Sequence, residues 1–248
     1  MKISQFLDAT YLKTAQQAGV SEQENLLGVL QLAEEAILNG YKLIMIRANY
    51  IVHVKNILNA AKSPVLIGTV VDFPEGKSSI QQKLEEAQKA ISCGAHELDF
   101  VLNYNTFKAG NIDAVISELK QCVALCIRHH KVAKFIIEVA ALSNEEIIVI
   151  SQLIRKVVLE DFGEENAKNV FVKSSTGFFQ TEANKPNGAT IESMKLILEN
   201  AKPLKVKAAG GVKDYKTALE MLLLGVDRIG TSSSKEIISK GHNTNSGY

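Results

Sequence analysis

Residues 169–179 read NVFVKSSTGFF, an apolar strand that carries Lys173 where a buried run would continue with another valine. An unpaired ammonium is prohibitive to bury, so this lysine must lose its charge or find a partner. Residues 204–212, LKVKAAGGV, repeat the arrangement, with Lys207 on an apolar strand just ahead of Gly210 and Gly211.

Working outward from these two runs, short β-rich apolar stretches alternate with longer ones of helical period. Eight candidate strands cover 5–10, 41–47, 64–71, 96–102, 133–140, 169–176, 204–210 and 227–232. The first is the least defined, being short and followed by the loop YLKTAQQAGVS. Between the strands lie segments such as ENLLGVLQLAEEAILNG and IDAVISELKQCVALCIRHH, apolar near i, i+3, i+4 and i+7. Several stop at glycine (Gly40, Gly94, Gly225), as left-handed capping favours. Residues 159–169 read as an irregular polar insertion. Near-continuous apolar strands joined by helices indicate a parallel sheet covered outside. No linker or composition break interrupts the 248 residues. The expectation is one α/β domain over 1–248, a closed (β/α)8 or TIM barrel, with an open doubly wound sheet as the other solution.

Composition narrows the function. Twenty-eight basic against 27 acidic side chains give a net charge of +1, without the basic, aromatic-interleaved stripe that nucleic-acid binding favours. No apolar stretch reaches about 18 residues, and the start, MKISQFLDATYLK, lacks the apolar core of a signal peptide. The reading is a cytoplasmic protein without nucleic-acid or membrane partners. Cys93, Cys122 and Cys126 are too few for a disulfide framework; Cys122 and Cys126 share a helical face, but no further histidine or cysteine completes a metal site, so they read as buried thiols.

In such a barrel, chemistry gathers at the C-terminal ends of the strands. Polar residues fall late in many of them: Asp8 and Thr10, Thr69 and Asp72, Asp99 and Asn103, Glu138, Lys173 with Ser175 and Thr176, Lys207, Ser232 and Ser233. One explanation is a lysine–carboxylate network that fixes packing, with Asp99 and Glu138 as partners. The other is chemical: two nearby ammonium groups repel, one titrates low, and an uncharged amine attacks carbonyl carbon. Gly177, Gly210 with Gly211, and the run from Gly230 through Ser232 and Ser233 follow three successive late strands. Such turns leave backbone N–H groups accessible to an anion, and a helix starting near Ser233 would add its positive end.

FVKSSTGF, VKAAGGV, RIGTSSS, ELDFVLNY, TVVDFPEG, FIIEVAALSNEEI and GATIESMKLI, in this order and spacing, resemble the deoxyribose-phosphate aldolases, class I aldolases with a (β/α)8 fold. The likeness runs from about Asp8 to Ser233. It implies reversible cleavage of 2-deoxy-D-ribose 5-phosphate to acetaldehyde and D-glyceraldehyde 3-phosphate, with neither metal nor organic cofactor. It implies Lys173 as the Schiff-base lysine, Lys207 as the residue that lowers its pKa, and Asp99 as a proton shuttle. Gly177, Gly210, Gly211, Gly230, Ser232 and Ser233 would hold phosphate, and Asp8 with Thr10 would meet substrate hydroxyls or the relay. Relatives are often homodimers, and no interface stripe decides the state here. Residues 240–248 read as a flexible tail; some members end in a tyrosine that assists enamine protonation, and this chain ends in Tyr248. Where many relatives have a Cys-Val-Asn-Pro-like run near the end of strand two, this chain has Ile44-Met45-Ile46-Arg47-Ala48, which bears on substrate preference. Two other readings remain open: a Schiff-base aldolase for another sugar phosphate or a ketone donor, and a catalytically silent sugar-phosphate binder.

Overall fold

The structure, a computed structural model, describes residues 2–182 and 186–242, the last three through their backbone only. Eight parallel strands close into a barrel in chain order: β1 (Leu7–Tyr11), β2 (Leu43–Ile46), β3 (Leu66–Val71), β4 (Glu97–Val101), β5 (Val132–Ile136), β6 (Val170–Lys173), β7 (Lys205–Ala209) and β8 (Arg228–Thr231). The helices are α1 (Ala15–Ala18), α2 (Glu22–Asn39), α3 (Ile51–Ala60), α4 (Ile80–Cys93), α5 (Tyr104–Lys108), α6 (Ile112–Arg128), α7 (Asn144–Phe162), α8 (Ile191–Ala201), α9 (Tyr215–Leu224) and α10 (Ser234–His242).

Local chemistry sets the helix ends. Ser21, Ser79, Ser143 and Thr190 open α2, α4, α7 and α8 with reciprocal capping boxes, each an order of ~1 kcal/mol. Gly40, Gly94 and Gly225 close α2, α4 and α9 in left-handed geometry, as expected. Two segments are more ordered than their sequence suggested. The loop after β1 holds α1, capped by Thr14 and Gln17. The polar stretch 159–169 continues α7 to Phe162 and then forms a 3-10 turn, Glu164–Asn169, because Phe162 and Ala167 pack on the core between its charged positions.

Side chains that point out from the strands, such as Ile44, Ile67, Phe100, Phe135 and Val172, join the helices in one large apolar cluster. The inward side chains make a different interior. Leu43, Met45 and Val70 form a small apolar cluster with Leu12 on the β2–β3 side. Asp8, Glu97, Asp99, Lys134, Lys173, Lys207 and Arg228, from the other six strands, are buried and ion-paired. Barrel closure therefore encloses an apolar half and an ionic half.

Candidate active site

The register places the site. Asp99 on β4 lies beside Lys134 on β5, and Lys173 on β6 beside Lys207 on β7. Asp99 collects three ammonium groups: Lys134 Nζ donates to Oδ1 at 2.7 Å, and Lys173 and Lys207 both donate to Oδ2, at 2.9 and 2.8 Å. Burial opposes ionisation of Asp99, but the three lysines outweigh it and hold the carboxyl well below the usual range. Asp8 is treated likewise: burial raises it, and Arg228, Lys207 and Lys134 bring it down.

Formal charge inside the barrel does not balance. Three carboxylates (Asp8, Glu97, Asp99) face four cations (Lys134, Lys173, Lys207, Arg228). Lys134 touches Glu97 at 2.6 Å and Asp99 at 2.7 Å; Lys207 touches Asp8 at 2.6 Å and Asp99 at 2.8 Å; Arg228 pairs with Asp8 and reaches Glu97 at 3.2 Å. Among the described residues Lys173 has Asp99 alone, through an oxygen it shares with Lys207. It is the surplus cation. Burial lowers its pKa most, Asp99 opposes, and Lys207 and Lys134 add repulsion; the balance leaves it at about 8. Lys134, with two close carboxylates, moves the other way and stays charged: burial works against the charge and is outweighed by Asp99, Glu97 and Asp8. A lysine at about 8 is neutral in about one molecule in ten at pH 7, against about one in three thousand at the ordinary 10.5.

Past Lys173 the chain turns. Ser174 Oγ donates to the Ala209 carbonyl and accepts from the Ala209 N–H, both at 2.9 Å, tying the end of β6 to β7. Glu138, just past β5, has φ of 57° and is buried; it accepts from the N–H of Thr176 at 3.1 Å and from the Thr176 hydroxyl. Burial raises its pKa, and hydrogen bonds from Thr176 oppose that. Glu138 thus holds the turn after Lys173 and pairs with neither lysine.

Gly177, Gly210 and Gly211 all have φ near 80° (80°, 81° and 85°), the region open to glycine. The turns meet backbone to backbone: a Cβ on Gly188 would lie 2.5 Å from main-chain atoms of Gly210, and one on Gly210 would lie 3.6 Å from Gly177 Cα. Ser233 N–H donates to Thr231 Oγ1 at 3.0 Å, and its carbonyl accepts from Ile237 N–H as α10 begins. Ser232 is exposed beside it. Thr231 Oγ1 in turn donates to the Val212 carbonyl at 2.7 Å, which ties this turn to the one after β7. Gly230 lies elsewhere, inside the strand: a Cβ there would meet Lys207 Cε at 2.9 Å, so its bareness clears the path of that amine.

Asp8 lies within the ion network, wholly buried, and Thr10 is half-buried, its hydroxyl donating to the Asp8 carbonyl at 2.8 Å. Thr69 sits on the helix-facing side of β3, between Gly68 and Val70, which face inward. Asp72 accepts from Ser78 and lies 3.3 Å from Lys83, and Asn103 accepts from the Thr106 N–H to cap α5; both are structural. Met45 is buried inside the barrel. Arg47, two residues on, donates to the carbonyls of Leu12 (2.9 Å) and Phe73 (3.3 Å) and lies 5.2 Å from the centre of the Phe73 ring, which packs edge-on against Phe178. A cavity of about 390 Å³ opens past the strand ends, lined by Glu138, Thr176, Phe178 and Tyr104 among others. Tyr248 lies outside the described residues, while the backbone of α10 runs to His242, into the stretch read as a tail.

Sequence reasoning missed Lys134, Glu97, Arg228 and Gly188. The first three carried the signal that exposed Lys173, a charge inside an apolar strand. Glu97 and Asp99 are moreover two apart, hence on one strand face. Cys122 and Cys126 are buried free thiols, and burial pushes Cys126 up to about 12. Among the described residues no cluster of three or more His, Cys, Asp or Glu is arranged to hold a metal ion, and no helix is long and apolar enough to cross a membrane.

Residues 11–232 match a family model described as DeoC/LacD family aldolase. A deoxyribose-phosphate aldolase of Dictyoglomus turgidum is 38% identical over 87% of this chain and 90% of its own length. Among solved structures, QR15, an aldolase, superposes with a TM-score of 0.76 at 32% identity, covering 97% of this chain and 96% of that one. The deoxyribose phosphate aldolase of Aeropyrum pernix, described as a unique tetramer, superposes at 0.78 with 24% identity over 98% of this chain and 92% of that one, a likeness of fold. With a family match that runs from the end of β1 through β8, and with the lysines of both motifs brought to one carboxylate, this chain belongs to the DeoC/LacD family of aldolases.

Proposed function

We propose that the protein reversibly cleaves 2-deoxy-D-ribose 5-phosphate to acetaldehyde and D-glyceraldehyde 3-phosphate through a Schiff base on Lys173. The observation that carries this is the uneven pairing inside the barrel: Lys173 is the cation left with one shared carboxylate oxygen, and its pKa falls to about 8. A binding protein has no use for such an amine; addition to a carbonyl needs it.

In this mechanism neutral Lys173 adds to C1 of the open-chain sugar, and the carbinolamine loses water as a proton is delivered to its hydroxyl. Lys207 and Asp99 form the relay. The ammonium of Lys207 is the donor, and the ionised carboxylate joins it to the reacting nitrogen at hydrogen-bond distance. The protonated imine draws the electron pair of the C2–C3 bond toward nitrogen. That bond breaks as the C3 hydroxyl gives up its proton and becomes the aldehyde of D-glyceraldehyde 3-phosphate. The two-carbon fragment remains as an enamine, which takes a proton at its terminal carbon, and hydrolysis frees acetaldehyde and Lys173. Gly177, Gly210, Gly211, Ser232 and Ser233 hold the phosphate with backbone N–H groups and hydroxyls, Asp8 and Thr10 support the relay, and Tyr248 assists enamine protonation.

Borohydride reduction in the presence of deoxyribose 5-phosphate, followed by peptide mass mapping, tests the proposal. The expected adduct is a two-carbon or five-carbon secondary amine on Lys173. Absence of any trapped adduct, or full activity in Lys173→Ala, rejects it.

A further inference from the structure

At the opposite end of the barrel lies a hollow of about 500 Å³, between the C-terminal ends of α3 and α4 and the starts of β3, β4 and β5. Lys55, His96 and Lys131 line it together with Asn59, Ser63 and Ser92, and no carboxylate does. The side chain of Lys55 is laid across Gly94, where a Cβ would meet its Cδ at 2.8 Å and its Nζ at 3.1 Å. Among the described residues neither Lys55 nor Lys131 forms an ion pair. His96 Nδ1 accepts the Ile67 N–H at 2.9 Å, so in the neutral ring Nε2 carries the proton and is the donor.

We propose that this hollow is a second anion site that takes a small phosphate monoester, its oxygens held by Lys55, Lys131 and the Nε2–H of His96, its organic part against Leu58, Val65 and Ile91. Two ammonium groups and a neutral imidazole N–H share the hollow with no carboxylate in its lining, and a dianion supplies the missing counter-charge. Partial burial and the two lysines push the His96 imidazolium down, against the pull of neighbouring Glu97, which records how close these charges stand. The volume lies within the usual range for small-molecule sites, about 300–1,000 Å³. The site is distinct from the phosphate turns past β6, β7 and β8: His96 lies just before the start of β4, three residues and about 10 Å of extended chain ahead of Asp99.

The test is an NMR titration of the full chain with phenyl phosphate, read at the His96 imidazole and assigned with His96→Gln, so that binding at the catalytic mouth does not confuse the result. The expected outcome is a saturable His96 response, with its imidazole pKa raised by about half a unit or more because a bound anion favours the imidazolium. Lys55→Gln with Lys131→Gln, both partly or fully exposed and therefore tolerant of change, is expected to weaken binding by about tenfold or more. No His96 response up to about 20 mM, an equal response to phenol, or unchanged affinity in the double variant overturns the proposal, whatever becomes of the aldolase assignment.

Discussion

Lys173 and Lys207 donate to one and the same oxygen, Oδ2 of Asp99, at 2.9 and 2.8 Å. Two ammonium groups on a single acceptor leave the pair short of negative charge, and the one without a second carboxylate yields its proton first. Activity should therefore rise with pH through about 8 as Lys173 becomes neutral. Replacing Lys207 by Met removes a repulsion, so the limb in kcat/KM should move toward higher pH while kcat falls. A limb that stays in place would show that Lys207 does not tune Lys173.

The same lysine ties stability to pH. Between about 8 and 10.5 the unfolded chain holds a proton on Lys173 that the folded chain has released, so stability from this residue increases as pH rises through that window. The full effect is on the order of 3 kcal/mol, the cost of keeping the amine charged at lower pH. Urea unfolding at pH 7 and pH 9.5 should show a smaller gain, or none, in Lys173→Met than in the parent chain.

Asp99→Asn leaves three buried lysines around a neutral amide. We expect a stability loss on the order of 3–5 kcal/mol, as when one partner of a buried pair is removed, with turnover lower by about two to four orders of magnitude. Calorimetric unfolding and single-turnover kinetics separate the two losses.

Gly188→Ala places a methyl 2.5 Å from the main chain of Gly210, so the turn after β7 must shift. The effect should fall on KM for deoxyribose 5-phosphate, raised by about tenfold or more, and little on unphosphorylated deoxyribose. Equal effects on both sugars would count against a phosphate role for that turn.

Deletion of Tyr248 should slow turnover by about one to three orders of magnitude, the range of lost acid–base help, and slow deuterium exchange into acetaldehyde in parallel. Unchanged exchange removes the tail from the mechanism.

The barrel was legible because the strands carry apolar runs and several helices announce their ends with serine or threonine caps and glycine stops. The strand limits were less so. β5 ends at Ile136 although the apolar pattern of AKFIIEVA continues, because Glu138 adopts a left-handed backbone and turns its carboxylate toward Thr176. Lys173, Lys207 and Asp99 were readable as charges in hydrophobic surroundings, and the structure adds what tunes the first of them. Lys207 is one contributor, but burial counts for more, and Lys134 also repels. The arithmetic of four cations against three carboxylates depends on which residues of six separate strands meet, and no local pattern encodes that. Gly188 shows the same limit, since only its distance to Gly210 reveals its purpose.

The pairing of Arg228 with Asp8 joins residues 220 positions apart and fastens the last strand to the first. During synthesis from the N-terminus, Asp8 and Glu97 emerge long before the guanidinium that serves both of them. Before the eighth strand arrives, the three lysines match the three carboxylates in number, and it is Arg228 that brings the surplus charge. The burial that lowers the Lys173 pKa is completed by the final step of closure, so a product of translation truncated before β8 is expected to carry an ordinary, charged amine there.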